Sequence, residues 1–454
     1  MKKLYITLLV LLTAAVAAAQ NPTTYFMEGS TMRSQWNPAF APMRGYVNVP
    51  VLGGIQIGVE GNLALDNIFY PNNGSLTWLL DGAIPTTVAL DELDAKNSLG
   101  TGIQLNILGF GAYTKNRKNF WSFDVSMRVN VDTRLPYELF EFLKTGNSTH
   151  IADLGLSMES YAEAAFSYSF PVTKKLYLGV RGKFLVGAAR LNMNFDRFDA
   201  SLGADRWYAN AMGTMTVSGM VPATTVSADG TPIYDLDEIA DEVKIPAGYG
   251  FGIDVGATYD LLPNLQLSAS LNDFGFMYWS KKHTAVGRVE NTIEFTGVEI
   301  DDMGNASQPT FDLDELEFAV QENDGKARML RASLNVGGEY EFLNRRIGVG
   351  LFYNIRFWEY KTRHNLTLSG NFRPLRWLHV SGSYSFVNNS GSAVGLGLNL
   401  CPGWINFFVA TDILLSKKTP QWLPTSQSNM NITFGLGYPL GKRSLREAHQ
   451  ATQW

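Results

Sequence analysis

The chain has 454 residues, of which 17% are charged and 12% aromatic, and its formal net charge is −5. This acidic balance argues against a nucleic acid as partner. The low charge and the 43 glycines are unusual for a soluble protein of this length. They are typical of a membrane barrel, in which only every second strand residue faces lipid.

The first residues have the pattern of a secretory leader. Met1-Lys2-Lys3 supplies positive charge, residues 4–16 are apolar, and alanines follow at 17–19. The apolar run is too short to cross a bilayer as a helix. We therefore predict a signal peptide over residues 1–19 and export to the outer membrane of a Gram-negative bacterium. Because Cys401 is the one cysteine, the exported fold must hold without an internal disulfide.

Residues 20–52 lack the alternation of a strand. Two prolines, at 38 and 42, exclude a regular strand or helix there, and exposed aromatic side chains gain nothing in a flexible leader. We predict that this segment folds back into a barrel lumen as a plug, or hatch. The residues that mark the plug are Trp36, Asn37, Pro38, Ala39 and Phe40.

From residue 53 to residue 440, apolar and polar residues alternate. In the last segment, Met430, Ile432 and Phe434 share one face, whereas Asn431 and Thr433 share the other. An apolar face opposite a polar one is expected of a strand between lipid and an aqueous lumen. The pattern predicts an all-β fold, a 14-stranded antiparallel transmembrane β-barrel. The strands lie near 53–65, 102–114, 119–133, 157–170, 175–196, 248–260, 264–279, 327–342, 346–357, 364–373, 376–387, 391–400, 404–415 and 427–440.

Short and longer connections alternate between these strands, as periplasmic turns and extracellular loops do. Both termini are then periplasmic, and residues 441–454 form a periplasmic tail. Residues 207–217 and 286–298 also resemble strands, so sixteen strands are the main alternative. We assign them to the third and fourth loops, as hairpin extensions beyond the membrane. Residues 135–144 and 235–244 are predicted to be short loop helices.

Several motifs resemble a known group of barrels. Asn37-Pro38-Ala39 resembles the hatch motif of the FadL-like family, whose members are 14-stranded barrels with an N-terminal plug. Residues 250–259 and 271–276 resemble a FadL/PorV-related group of outer-membrane barrels of largely unknown function. The resemblance spans nearly the whole mature chain and implies a fold and a location. It leaves the function open, since FadL-like members import hydrophobic molecules and PorV-like members serve protein secretion.

Charged residues of both signs fall on the inward phase of the strands. Opposite charges inside a narrow tube are expected to pair and to hold the plug by hydrogen bonds. The alternative is a path that selects charged solutes. These lumen residues are Asp124, Arg128, Glu163, Arg181, Lys183, Asp254, Glu339, Arg356 and Asp412.

Nothing in the sequence favours an enzyme. The five histidines lack metal-site spacing, and no nucleophile elbow or phosphate loop is present, so neither a metal nor a cofactor is expected. The nearest approach to a hydrolase is His379 beside Ser369 on neighbouring strands. The favoured function is a plugged transporter of hydrophobic or amphipathic small molecules, set in outer-membrane lipid. The alternative is an interaction barrel, a subunit or shuttle whose partners are secretion or assembly proteins.

Overall fold

The computed structural model describes residues 21–63, 67–72, 75–79, 81, 83–91, 93–145, 149–202, 207–236, 244–295, 316–323, 325–357, 359–387, 392–412 and 430–442. The predicted signal peptide, most of the predicted helix at 235–244 and nearly all of the tail lie outside these residues.

The wall is a closed barrel of fourteen antiparallel strand positions, each bonded to its neighbours in chain order. The last position pairs with the first, with Phe434 opposite Ile55, which confirms the predicted fold class. The wall strands are β1 (Gly45–Asn48 and Ile55–Gly61), β2 (Leu99–Tyr113), β3 (Phe120–Pro136), β4 (Leu154–Pro171), β5 (Leu176–Leu202), β6 (Gly248–Leu262), β7 (Leu265–Trp279), β8 (Ser333–Phe342), β9 (Ile347–Phe357), β10 (Thr362–Leu375), β11 (Leu378–Val387), β12 (Ser392–Leu400), β13 (Asn406–Thr411) and β14 (Met430–Leu440).

Strand β1 corrects one predicted boundary. The wall begins at Gly45, which pairs with Leu440 of β14, and not at residue 53. The strand is interrupted at 49–54, where Pro50 supplies no N–H group and Val51 has a positive φ of 65°. This interruption breaks the alternation, so the sequence pattern hid the first part of the strand within the predicted plug.

The two faces of the wall differ in polarity as the alternation predicts. On β9, Val349, Leu351 and Tyr353 are exposed on the outside, whereas Gly350 and Asn354 are buried on the inside. The outward row is apolar and suited to lipid, and the inward row is mainly polar. For most strand residues, the period of two therefore predicts whether the side chain faces the lumen or the outside.

Strand β5 carries the wall into an extension beyond the barrel. Up to Gly187 it pairs with β6. Beyond a bulge at that residue, residues 190–202 pair with Trp207–Ser218. That strand in turn pairs with Thr284–Phe295. The two stretches that suggested sixteen strands are thus hairpin extensions, and the sixteen-stranded alternative is wrong. The extension has its own apolar core, formed by Phe195, Ala211, Met215, Val217, Tyr234, Ala285, Val289, Leu316 and Phe318.

The remaining elements are short. The helices are α1 (Arg33–Trp36), α2 (Thr86–Leu90) and α3 (Tyr137–Thr145), and 3-10 turns lie at Pro22–Thr24 and Lys281–His283. Helix α3 confirms the helix predicted at 135–144. The other strands are Phe69–Asn72, Ser75–Trp78, Lys96–Asn97, Thr149–Ile151, Thr224–Val226, Pro232–Tyr234, Ala319–Gln321 and Lys326–Met329. Within the described residues, no helix is both long and apolar enough to cross a membrane.

Candidate functional site in the barrel lumen

The N-terminal segment, defined here as residues 21–43, lies inside the barrel and is almost entirely buried. At one end, the Asn21 side-chain amide donates to the main-chain oxygen of Asn431 on β14, at 3.4 Å. Further along, Asn37 reaches β6 on the far side of the wall. A segment that contacts well-separated strands of a closed barrel through their inward faces occupies the lumen.

The Asn37-Pro38-Ala39 motif is fixed by both atoms of one amide. Asn37 Oδ1 accepts from Ala39 N at 2.9 Å, which holds the turn. Asn37 Nδ2 donates to the main-chain oxygens of Ala257 and Ala269, each at 3.1 Å. These two residues are paired across β6 and β7, so one side chain fastens the turn to two wall strands.

Two wall glycines allow this turn to approach the strands. A Cβ at Gly179 of β5 would lie 2.2 Å from the Pro38 carbonyl carbon, and one at Gly256 of β6 would lie 2.0 Å from Asn37 Oδ1. Both distances are far below van der Waals contact. Any side chain at these positions therefore requires the turn to move away from the wall.

The aromatic residues of the segment form a small core in mid-lumen. Tyr25, Phe26, Trp36 and Phe40 pack together with Phe352, a wall residue of β9. The Tyr25 and Phe352 rings are stacked, with centroids 3.9 Å apart. Burial raises the pKa of the Tyr25 phenol to about 12, although its hydroxyl lies within hydrogen-bond distance of Ser268.

The carbonyl oxygen of Trp36 accepts hydrogen bonds from three wall side chains. Ser270, Asn272 and Asn335 donate to it at 2.6, 2.8 and 3.1 Å. By contrast, the backbone–backbone hydrogen bonds of the segment, among the described residues, are internal, such as Phe40 N to Asn37 O at 2.9 Å. No strand ladder joins residues 21–43 to the wall within that part of the chain. The segment is therefore held by side chains.

Six of the nine predicted lumen residues meet in one central network across β3 to β6. Arg128 Nε lies 3.0 Å from Glu163 Oε2, and Arg181 Nη2 lies 3.3 Å from Glu163 Oε1. Arg181 also pairs with Asp124 at 3.5 Å and with Asp254 at 3.9 Å, and Lys183 Nζ lies 2.7 Å from Asp254 Oδ1. The geometry is that of a continuous ion-pair network on the inward face of the wall.

Asp273 of β7 completes the central network. Its two carboxylate oxygens lie 2.6 Å from Lys183 Nζ and 3.1 Å from Arg128 Nη1. Its φ is +55°, and its N–H donates to Asp254 Oδ1 at 2.7 Å. With Asp273 included, four carboxylates face three cations, so the network carries a net charge of −1 when all groups are ionised.

Glu339 belongs to a second cluster, beside the turn between β8 and β9; because this turn is one of those predicted to be periplasmic, we call it the periplasmic cluster. Arg373 Nη2 lies 2.6 Å from Glu339 Oε1, and Arg373 also pairs with Glu28 of the N-terminal segment at 3.6 Å. Arg345 in turn holds Glu28 at 2.9 Å and Glu341 at 2.8 Å. Burial raises the pKa of Glu28, but the Arg373 and Arg345 guanidiniums together outweigh it and hold the pKa below its ordinary value.

The last two predicted lumen residues lie apart from these groups. Arg356 pairs with Glu60 of β1, towards the end of the lumen opposite the β8–β9 turn, which we call the outer end. Asp412 accepts from Thr23 Oγ1 at 2.7 Å and from Asn431 Nδ2 at 3.3 Å. Eight of the nine residues therefore belong to the central network, the periplasmic cluster or the outer pair, and the ninth, Asp412, holds the start of the N-terminal segment.

The Ser–His pair considered for a hydrolase does not form. In the β10–β11 register, Ser369 lies opposite Ser383, four residues away from His379. His379 lies opposite Asn399 of the next strand. The predicted neighbourhood was wrong because the alternation fixes which face a residue occupies but leaves the register between strands open.

A cavity of about 80 Å³ lies in the lumen on the outer side of the N-terminal segment. Along β7 the segment contacts Ser270 and Asn272, and the cavity begins at Asp273. Along β9 the segment contacts Phe352, and the cavity reaches Arg356. Nearly all of the side chains that line it are polar.

The comparisons with known proteins give a family. The protein-family model described as "Family of unknown function (DUF5723)" matches residues 38–412 of the chain. The chain belongs to this family. None of the curated proteins matches the DUF5723 chain.

Three solved structures illustrate what this DUF5723 protein is similar to. They are a TodX monoaromatic hydrocarbon channel mutant (10% identity, TM-score 0.43, 93% of this chain and 95% of that one), the Pseudomonas putida toluene transporter TodX (12%, 0.41, 94% and 94%) and a Pseudomonas aeruginosa FadL homologue (9%, 0.44, 93% and 98%). A likeness at this level carries nothing about a shared substrate.

The sequence pattern missed several lumen residues of the DUF5723 barrel, and four of them show why. Arg373 continues the inward phase of β10, two residues beyond Asn371, so the alternation could have identified it. Phe352 also has the inward phase, but an aromatic there does not fit a polar row. Asp273 has the outward phase, and a bulge turns it inward beside Asn272. Glu28 lies in a segment that has no regular alternation, so the sequence does not predict which way its side chain points.

Proposed function

We propose that this DUF5723 protein is an outer-membrane transport barrel in which the N-terminal segment is a displaceable plug. The observation that carries the proposal is how the segment is held. It occupies the lumen, but its contacts with the wall are side-chain hydrogen bonds, ion pairs and two small apolar contacts, one around Phe352 and one around Phe408. Water can replace most of these contacts during an opening, whereas a strand ladder would have to be broken as a unit.

The division of charges supports the same proposal. The central network is formed by wall residues alone, so none of its pairs includes a residue of the segment. The periplasmic cluster, by contrast, includes Glu28 of the segment, and Arg373 and Arg345 hold it from the wall. One network stiffens the barrel, and the other fastens the plug to it. Such a division suits a rigid tube with a movable closure.

The sequence resemblance favours a hydrophobic or amphipathic solute. The cavity on the outer side of the plug is lined by glutamines and arginines, which favours a solute with a polar group. An amphipathic or polar small molecule satisfies both considerations better than a pure hydrocarbon.

The proposal is tested by a pair of glycine substitutions on β5. Gly179→Ala places a Cβ 2.2 Å from the Pro38 carbonyl carbon, whereas a Cβ at Gly182, on the outward face, meets nothing within 4 Å. Gly179→Ala should raise the open probability in planar bilayers several-fold over the wild type, and Gly182→Ala should leave it unchanged. Heat-dependent gel mobility checks that both barrels are folded. A folded Gly179→Ala barrel that conducts no more than the wild type contradicts the proposal.

An interaction barrel is the second candidate, and the outer extension is the observation that favours it. Trp207–Ser218 and Thr284–Phe295 form a paired sheet with its own apolar core beyond the wall. Such a folded outer surface suits a partner protein in secretion or assembly. Affinity purification in mild detergent should then recover a stoichiometric partner, which is lost when this sheet is shortened. Recovery of the monomer alone contradicts this candidate.

A further inference from the structure

We infer that the lumen cavity on the outer side of the N-terminal segment is a binding site for a small oxyanion, a carboxylate or a phosphate. The inference rests on the proposed function and names the chemistry of its solute. It starts from the charge of the lining, which includes three guanidinium groups, those of Arg128, Arg331 and Arg356, and one carboxylate, that of Asp273.

Each guanidinium is held by a carboxylate that does not line the cavity. Arg128 pairs with Glu163 at 3.0 Å, Arg331 with Glu159 at 3.3 Å, and Arg356 with Glu60. The single lining carboxylate, on Asp273, is taken up by Lys183 and Arg128. The arginines thus lie between the cavity and their carboxylate partners. The carboxylates orient the guanidinium groups, which are available to a ligand in the cavity.

Unsatisfied polar atoms in the cavity lining point to the same ligand. Gln104 Nε2, Arg356 Nε and Ser333 Oγ have no hydrogen-bond partner among the described residues. The three side chains are 6%, 7% and 3% exposed. Two of these atoms are donors only, and the hydroxyl can donate. A ligand with several acceptor oxygens satisfies all three, whereas a hydrocarbon or a cation satisfies none of the donors.

The size of the cavity limits the ligand. About 80 Å³ is several times the roughly 10–15 Å³ that one water molecule requires. It is well below the roughly 300 Å³ at which drug-sized ligand pockets begin. The cavity therefore suits one carboxylate or phosphate group, either as a small solute or as the anionic end of a larger one.

Gln104 and Ser333 provide the test because replacing either one breaks no ion pair. Calorimetric titration of the purified full-length protein would use succinate, inorganic phosphate and uncharged erythritol as probes. We expect succinate, phosphate or both to bind and erythritol not to bind. Gln104→Leu and Ser333→Ala should each weaken binding by roughly tenfold, the effect of a hydrogen bond to a charged group.

The matched control is Gln266→Leu, which removes another glutamine of the lumen wall, at the periplasmic end of β7 beside Asp260. It should leave the affinity unchanged. Absence of anion binding, equal binding of erythritol, or an equal loss in Gln266→Leu each overturns the inference. None of these results depends on transport. A Gly179→Ala barrel that conducts while the wild type binds no anion refutes the oxyanion site alone, and the converse refutes the plug alone.

Discussion

The ring of Tyr25 stacks on the ring of Phe352, with centroids 3.9 Å apart and planes inclined by 25°. One ring belongs to the N-terminal segment and the other to the inward face of β9, so this contact joins the segment to the wall in the middle of the lumen. It is one of two apolar contacts in a mainly polar docking surface, the other being that of Met27 and Met32 with Phe408.

Removal of the wall ring should loosen the segment. Phe352→Ala deletes a fully buried aromatic side chain, a change that costs roughly 3–5 kcal/mol in a packed core. Protease cleavage within residues 21–43 should therefore reach its midpoint at a lower urea concentration than in the wild type. Phe357→Ala on the same strand removes a ring that is 48% exposed and should leave that midpoint unchanged. Equal protection of residues 21–43 in both variants would show that the stack does not hold the segment.

The central network should stabilise the wall more than any exposed ion pair does. Lys183→Met leaves Asp273 with Arg128 alone and Asp254 with only the distant Arg181. Loss of one partner from a buried pair costs about 3–5 kcal/mol. The thermal midpoint of the barrel, followed by gel mobility, should drop clearly.

The control for this change is an exposed pair on the outer extension. Arg288 and Glu290 are 52% and 61% exposed, and such pairs contribute about 0–1 kcal/mol. Arg288→Met should shift the midpoint little. A midpoint for Lys183→Met that equals that of Arg288→Met would refute a stabilising role for the network.

Acid should weaken the docking of the segment through Glu28. Arg373 and Arg345 hold the Glu28 pKa below its ordinary value despite burial. Ionised Glu28 therefore stabilises the docked state fully above the ordinary glutamate pKa of about 4.3. That stabilisation is lost progressively as the pH falls below this value. Channel openings in planar bilayers should become more frequent as the pH is lowered from 6 towards 3.

Glu28→Gln tests whether Glu28 itself causes this effect, because Glu339 and Glu341 lie in the same cluster. The variant should open more often than the wild type at pH 7, and its openings should depend less on acid. An unchanged acid response in Glu28→Gln would assign the response to the wall carboxylates instead.

The sequence was informative wherever the period of two held. It predicts the fourteen strands, the apolar outside and the inward position of all nine charged lumen residues, because a strand fixes the face of each side chain. It does not predict how those residues divide into networks, since pairing depends on register. Asp273 shows the limit, because its inward position comes from a bulge that no alternation encodes.

The N-terminal segment shows a different limit. The sequence indicates an irregular, buried segment through Asn37, Pro38 and the aromatic residues Trp36 and Phe40. The resemblance to a hatch motif predicts that this segment lies in the lumen. Its partners could not be predicted, because contacts such as Asn37 with Ala257 and Ala269 depend on how the whole barrel closes. The boundary at Gly45 was missed for a local reason, the interruption at Pro50.

A reversible lock tests the displaceable plug most directly. Thr23 and Ser383 have hydroxyl oxygens 2.7 Å apart, so Thr23→Cys with Ser383→Cys should form a disulfide between segment and wall. Thr367→Cys with Ser385→Cys, whose hydroxyls are 2.8 Å apart on two wall strands, is the matched control. Both pairs are placed in a barrel that also carries Gly179→Ala and Cys401→Ser.

Single-channel conductance is then recorded before and after reduction. The plug account predicts that the Thr23–Ser383 lock suppresses the openings and that a reductant restores them. It also predicts that the wall–wall lock has no effect. Unchanged openings in the oxidised Thr23–Ser383 protein would contradict the account, because solute would then pass without displacement of the N-terminal segment.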